Sequence, residues 1–120
     1  EARVGEERPI IAGVYTNRLE IGMLLQADPT VQYALGEPKA RLLFADIDRV
    51  ADDPYNTYTH PGLPPGPIAS PGASSLDAAL YPADVPYLFF VARPDGSHEF
   101  TRTNREHVNA RHRIRREQEE

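Results

Sequence analysis

The sequence predicts an α+β domain, with several short helices packed on a small antiparallel β-hairpin. Three observations predict it. "YLFFVARPDGSHEF", from Tyr87 to Phe100, holds two strand-like runs around a tight Asp-Gly turn. The helical patterns are all short and carry their own start and stop residues. The 120 residues contain no internal repeat and no composition shift that would mark a domain boundary, enough for one compact domain with a modest core.

In chain order, Glu6 to Ile21 reads as a helix. Pro9 suits its first turn, Ile11, Val14, Tyr15 and Leu19 fall on one stripe, and Gly22 can close it. "MLLQA" is short, apolar and extended in character. Asp28-Pro29 is a cap-plus-first-position pair for a second helix ending near Gly36. Arg41 to Asp53 is ambiguous, with a short helix around Ala45 to Arg49. Leu63 to Pro67 should be a stiff polyproline-like rod, because residues before proline are pushed toward extended geometry. Ser74 and Asp77 resemble a capping box for a helix through Leu80 that Pro82 stops. Tyr87 to Ala92 and Ser97 to Thr101 are the hairpin strands, with Asp95-Gly96 in the turn. Thr103 and Glu106 form a second capping box, opening the C-terminal helix. Beyond Val108 and Ile114 that helix has little apolar surface, so residues 110–120 are expected to fray.

Composition narrows the function classes. There is no cysteine, which excludes disulfides, thiolate metal sites and cysteine nucleophiles. A net charge of -5 argues against a nucleic-acid or anionic-membrane module. Arg111, Arg113, Arg115 and Arg116 cluster, but Glu117, Glu119 and Glu120 follow at once, which favours a solvated helix end. His107 and His112 are five apart, off a common helical face, and His60 and His98 read as surface histidines, so no metal site is expected. No Gly-x-Ser-x-Gly elbow and no phosphate-binding glycine pattern is present. The chain begins with Glu and not Met, so it reads as a piece of a longer protein with any anchor or export signal upstream.

One stretch calls for more than a linker. Pro54 to Gly72 holds six of the twelve prolines and three of the eight glycines, yet also Tyr55, Asn56, Thr57 and Tyr58. Tyrosines beside prolines pack, and asparagine fixes turns, which is one account of them. The other is a pre-organised wall of stacking and hydrogen-bonding groups. Such a wall suits sugars, whose faces stack on aromatic rings and whose hydroxyls need donors and acceptors. The residues alone leave both accounts open.

The segments "NRLEIGMLLQADPTVQYALG", "YNTYTHPGLPPGPIASPGASSLDAALYP" and "YLFFVARPDGSHEFTRTNREH" together resemble the YceG-like (MltG) family of endolytic murein transglycosylases. The likeness runs in order from Glu1 to about Asn109; Ser70 stands where asparagine is common in the family. The resemblance implies cleavage of nascent peptidoglycan strands by a catalytic domain that residues 1–120 represent in part. It also implies an N-terminal anchor holding the full-length protein at the extracytoplasmic face of the bacterial cytoplasmic membrane, cell-wall synthases as partners, and no cofactor. The family's catalytic glutamate precedes the Asn-Arg-Leu tripeptide by about sixteen residues. That spacing falls on Glu1, as the second glutamate of an E-x-E pattern whose first member and supporting helix stand upstream. Tyr55, Asn56, Thr57 and Tyr58 would then line a sugar cleft, held rigid by the prolines. Gln26 and Asp28 are candidates for hydroxyl or acetamido contacts, with a helix-cap role for Asp28 an equal alternative. Asn17 and Arg18 would brace the fold.

Two other functions compete. Some YceG-like sequences have carried an aminodeoxychorismate-lyase label, implying pyridoxal phosphate. That chemistry needs a Schiff-base lysine, and Lys39, the only lysine, sits in a polar "GEPKA" loop with no phosphate-cradling glycines. A non-catalytic glycan-binding or scaffold module would keep the tyrosine wall without needing Glu1.

Overall fold

The computed structural model describes residues 5–37 and 42–119, with no account of the side chains of 118 and 119. A 3-10 turn (Gly5–Glu7) leads into α1 (Arg8–Glu20), followed by α2 (Asp28–Leu35), α3 (Phe44–Arg49), α4 (Ala73–Leu80), β1 (Phe89–Ala92), β2 (His98–Thr101) and α5 (Asn104–Glu119). The chain forms two compact units: Arg18–Ser70 is one, and the residues before and after it are the other. No linker composition announces the division, because α1 runs straight through it.

In the unit built from the two ends of the chain, the hairpin is the centre. β1 and β2 pair antiparallel, with Phe90 opposite Phe100 and Phe89 opposite Thr101. Alternation sends Phe90, His98 and Phe100 to one face, where Tyr15 of α1 meets Phe90 edge to face at 5.8 Å. Phe89 and Glu99 take the other face, where His107 of α5 stacks on Phe89 at 5.2 Å and Arg113 pairs with Glu99. The turn is a three-residue loop. The Arg93 carbonyl accepts the Gly96 N–H at 3.0 Å, Gly96 takes the left-handed φ of 91°, and the Arg93 N–H donates to Ser97 O at 2.7 Å. Asp95 caps the turn from its side chain, accepting the Ser97 N–H at 2.9 Å and the Ser97 hydroxyl at 2.5 Å. These bonds hold the Asp95 carboxyl below the usual range.

Helix starts and stops follow their chemistry with two exceptions. Gly22, at φ 72°, closes α1 as expected, and Gly36, at φ 77°, closes α2 by donating to Gln32 O and Tyr33 O. The Thr103–Glu106 capping box is formed in both directions, each N–H bond at 3.2 Å. Asp28, however, does not cap α2: Ala27 is the cap residue and Asp28 already lies in the helix. Ser74 likewise does not cap α4, which begins one residue earlier behind Gly72; its hydroxyl meets Arg8 instead. α5 is helical to Glu119, with Ala110 and Ile114 buried.

Three further expectations change. Leu19 is 39% exposed, and the buried position at the end of α1 belongs to Arg18, whose guanidinium donates to the Leu25 carbonyl. Residues 23–27 form no regular secondary structure, so a side chain satisfies that carbonyl. His98 is buried, not on the surface: its ring and its N–H each meet a Glu7 carboxylate oxygen at 3.0 Å. The Leu63–Pro67 segment is bent at several residues and is not a straight rod, after Gly62 adopts φ 80°.

Candidate functional site

The candidate residues Gln26, Asp28 and Tyr55 to Tyr58 lie within Arg18–Ser70, around a hydrogen-bond hub at Asn56. Asn56 is 0% exposed. Its amide nitrogen donates to Ile47 O at 3.2 Å and Val50 O at 3.1 Å, closing the end of α3, while its side-chain oxygen accepts the Tyr58 N–H at 2.9 Å. Its own carbonyl accepts the N–H groups of Thr59 and His60. Every polar atom of this side chain is spent on main chain. Irregular backbone inside a fold must find such partners, since an unpaired buried amide or carbonyl costs about 1–3 kcal/mol.

Thr57 is the second fixed point, 1% exposed. Its hydroxyl accepts the Ala27 N–H at 2.9 Å and lies 2.8 Å from the Thr30 hydroxyl. Its carbonyl accepts the Gln26 N–H at 3.2 Å. The YNTY turn is thereby bonded to the segment that leads into α2.

That segment carries an unusual backbone. Gln26, with φ 52°, is the only non-glycine residue in the left-handed region among the described residues. A side chain there costs roughly 1–2 kcal/mol against the usual conformations. Such strain is retained where surrounding bonds over-determine it, and it concentrates at functional positions. Gln26 is exposed, so its amide is offered to solvent.

Beside it, Asp28 accepts the Tyr58 hydroxyl proton at 2.5 Å. The alternative cap role of Asp28 is therefore not taken, and its carboxylate orients a phenol. Tyr55 packs its ring against Tyr33 of α2 at 4.7 Å, and a Cβ on Gly66 would stand 3.1 Å from the Tyr55 hydroxyl, so the proline-rich loop passes close to it.

The sequence-predicted residues thus separate. Gln26 and Asp28 are exposed and Tyr58 is half-buried with its hydroxyl on Asp28; together they offer sugar-compatible chemistry: an amide that donates and accepts, a carboxylate that accepts, and a phenol. Tyr55 is half-buried on Tyr33. Asn56 and Thr57 were expected to touch substrate, yet their polar atoms are enclosed and bonded to main chain or to Thr30, which fits a supporting part. Asn17 braces as expected: its amide donates to Val85 O at 2.7 Å and Tyr87 O at 2.9 Å. Glu1 and Lys39 lie outside the described residues. Among the described residues no group of three or more His, Asp or Glu side chains could hold a metal ion. Sequence reasoning missed Thr30 and Tyr33. The available signal for Thr30 was a hydroxyl on the helical face that also buries Val31.

Residues 1–113 match the model of the YceG-like family. The chain belongs to that family. It is 49% identical over 111 residues to a Bacillus subtilis protein named endolytic murein transglycosylase, which covers 92% of this chain and 30% of the relative. A Streptococcus pneumoniae protein of the same name is 38% identical over 90 residues, covering 72% of this chain and 16% of its own length. A crystal structure of a YceG-like protein from Listeria monocytogenes superposes with a TM-score of 0.84 at 47% identity, over 92% of this chain and 35% of that one. The chain spans under a third of the length of the curated relatives it matches.

Proposed function

We propose that the protein containing this chain is an endolytic lytic transglycosylase. It would cleave the bond between N-acetylmuramic acid and N-acetylglucosamine within nascent peptidoglycan strands and leave 1,6-anhydromuramic ends. The observation that carries this reading is the 49% identity, over nearly the whole chain, to a relative named for that activity. The exposed Gln26 and Asp28, with Tyr58 bonded to Asp28, support it, since these groups match the hydroxyl and acetamido groups of amino sugars.

On this reading Glu1 is both acid and base. Hydrolytic glycosidases need two carboxyl groups, one of which attacks or activates water. A transglycosylase replaces water with the muramic acid's own C6 hydroxyl. Glu1 protonates the departing glycosidic oxygen as the C1–O bond breaks; the C6 oxygen then bonds to C1, and its proton returns to Glu1. For Glu1 to carry a proton near neutrality its pKa must rise from about 4.3 toward roughly 6, which an apolar, poorly solvated setting supplies. Among the described residues no helix is long and apolar enough to cross a membrane. Anchoring at the outer face of the cytoplasmic membrane and association with cell-wall synthases are proposed for the full-length protein on the family resemblance.

The test is digestion of peptidoglycan by the full-length protein, read by mass spectrometry. Products should be one water lighter than hydrolysis products and carry no heavy oxygen from labelled water. Glu1→Gln should lower turnover by at least about 100-fold with an unchanged melting temperature. Reducing ends labelled by heavy-oxygen water, or an active Glu1→Gln variant, would overturn the assignment.

A further inference from the structure

We propose that Thr57 is a positioning residue, whose hydroxyl, locked to that of Thr30, holds Gln26 in its left-handed conformation and so aims the Gln26 amide at the glycan. The proposal rests on the reading of Gln26 as a sugar contact and adds the device that sets it.

The proton inventory of the lock has one solution. The Thr30 hydroxyl has a single proton and donates it to Ala27 O at 2.7 Å. Its contact with the Thr57 hydroxyl must therefore run the other way, with Thr57 donating at 2.8 Å. The Thr57 oxygen is then free to accept the Ala27 N–H at 2.9 Å, and the Thr57 N–H donates to the Thr30 oxygen at 3.3 Å. The Thr57 carbonyl takes the preceding N–H, that of Gln26, at 3.2 Å. Both amides flanking the Gln26 Cα are thus bonded to one residue, and its φ of 52° lies between them.

Both hydroxyls are nearly inaccessible, Thr57 at 1% and Thr30 at 4% exposed, whereas Gln26 is exposed. A turn needing only a left-handed residue is served without strain by glycine, as at Gly22, Gly36, Gly62 and Gly96. Here a long polar side chain stands in that conformation, with two buried hydroxyls enforcing it. That combination fits a side chain that is being aimed.

The experiment measures kcat and KM of the full-length protein on purified uncrosslinked glycan strands for Gln26→Ala, Thr57→Val, Thr57→Ser and the Gln26→Ala/Thr57→Val pair, with hydrogen exchange at the Ala27 amide. Gln26→Ala and Thr57→Val should each raise KM about 10-fold with kcat within about 3-fold, and the double variant should be no worse than Thr57→Val alone. Thr57→Ser, which keeps the hydroxyl, should behave as wild type, and Ala27 should lose exchange protection only where the hydroxyl is gone. A folded Thr57→Val with wild-type KM, or KM effects that multiply in the double variant, overturns the proposal while leaving Gln26 a sugar contact. An unchanged KM in Gln26→Ala overturns the sugar-contact reading itself, and with it the purpose assigned to the lock. If Thr57→Val does not fold, Thr30→Val, which removes the acceptor behind the Thr57 hydroxyl, is judged by the same pairing with Gln26→Ala.

Discussion

The hairpin unit and the Arg18–Ser70 unit are stabilised by different chemistry. The first has regular partners for its backbone, so its interior can be apolar: Ile11, Val14, Ala78, Ala110 and Ile114 are buried, and Tyr15, Phe90 and Phe100 form an aromatic cluster. The second has short helices joined by irregular chain, and its buried set is largely polar: Arg18, Thr30, Asp46, Asn56 and Thr57 beside Leu25 and Val31. Asp46 shows the pattern in miniature, accepting the Leu43 N–H at 3.0 Å to open α3. Where backbone cannot pair with backbone, buried side chains take over. The difference teaches that the polar signature YNTY is in part architecture, and that a site can grow from the same bonds that hold it.

The largest expected effect tests this contrast at its centre. Asn56→Ala should cost about 3 kcal/mol in chemical denaturation, because it strands two carbonyls and one N–H inside the unit. A loss below about 1 kcal/mol would instead favour Asn56 as one of the groups that line the sugar cleft. In the other unit, Gly13→Ala should cost less, about 1–2 kcal/mol. Its new Cβ would meet Ala83 O at 2.5 Å and Val85 Cγ2 at 2.9 Å. Overpacking costs about 1–3 kcal/mol, offset by about 1 kcal/mol of helix propensity. A Gly13→Ala loss exceeding that of Asn56→Ala would break the comparison.

Tyr58→Phe should sharpen it. The Tyr58–Asp28 bond is exposed, so its loss should change stability by less than about 1 kcal/mol. Glycan cleavage, measured as kcat/KM, should nevertheless fall about 10-fold if the phenol touches sugar. The smallest effect belongs to the hairpin turn. Asp95 has its pKa depressed in the folded state by the Ser97 hydroxyl and N–H bonds. Its contribution is therefore present above the unfolded value near 3.9 and is lost as pH falls through the folded value. Wild type should lose melting temperature more steeply below about pH 4 than Asp95→Asn does; equal slopes would show the turn bonds to be inert.

Much of the fold was legible. Gly22, Gly36, the Asp95-Gly96 turn signal and the Thr103–Glu106 box act within a few residues of themselves, so their meaning does not depend on what is distant. The caps assigned to Asp28 and Ser74 failed for the complementary reason. A side chain with a local option can be claimed by a distant partner, Tyr58 in one case and Arg8 in the other. Leu19 did not keep its expected place on the buried stripe, whereas Arg18 braces the fold through the Leu25 carbonyl.

The sequence by itself determined the element order, the position of the hairpin and the motifs that mark the family, because local propensity, periodicity and spacing are properties of neighbouring residues. The register waited on the three-residue loop. Only the tertiary structure decided which residues of those motifs face solvent. Tyr55, Asn56, Thr57 and Tyr58 are adjacent and chemically alike, yet Asn56 and Thr57 are enclosed while Tyr58 reaches Asp28 at an exposed bond. The left-handed Gln26 was equally invisible, since nothing within reach of it in the chain forbids the ordinary conformations. The bonds that enforce its geometry come from Thr57, about thirty residues away, and long-range pairing of buried polar atoms is what a one-dimensional pattern does not encode.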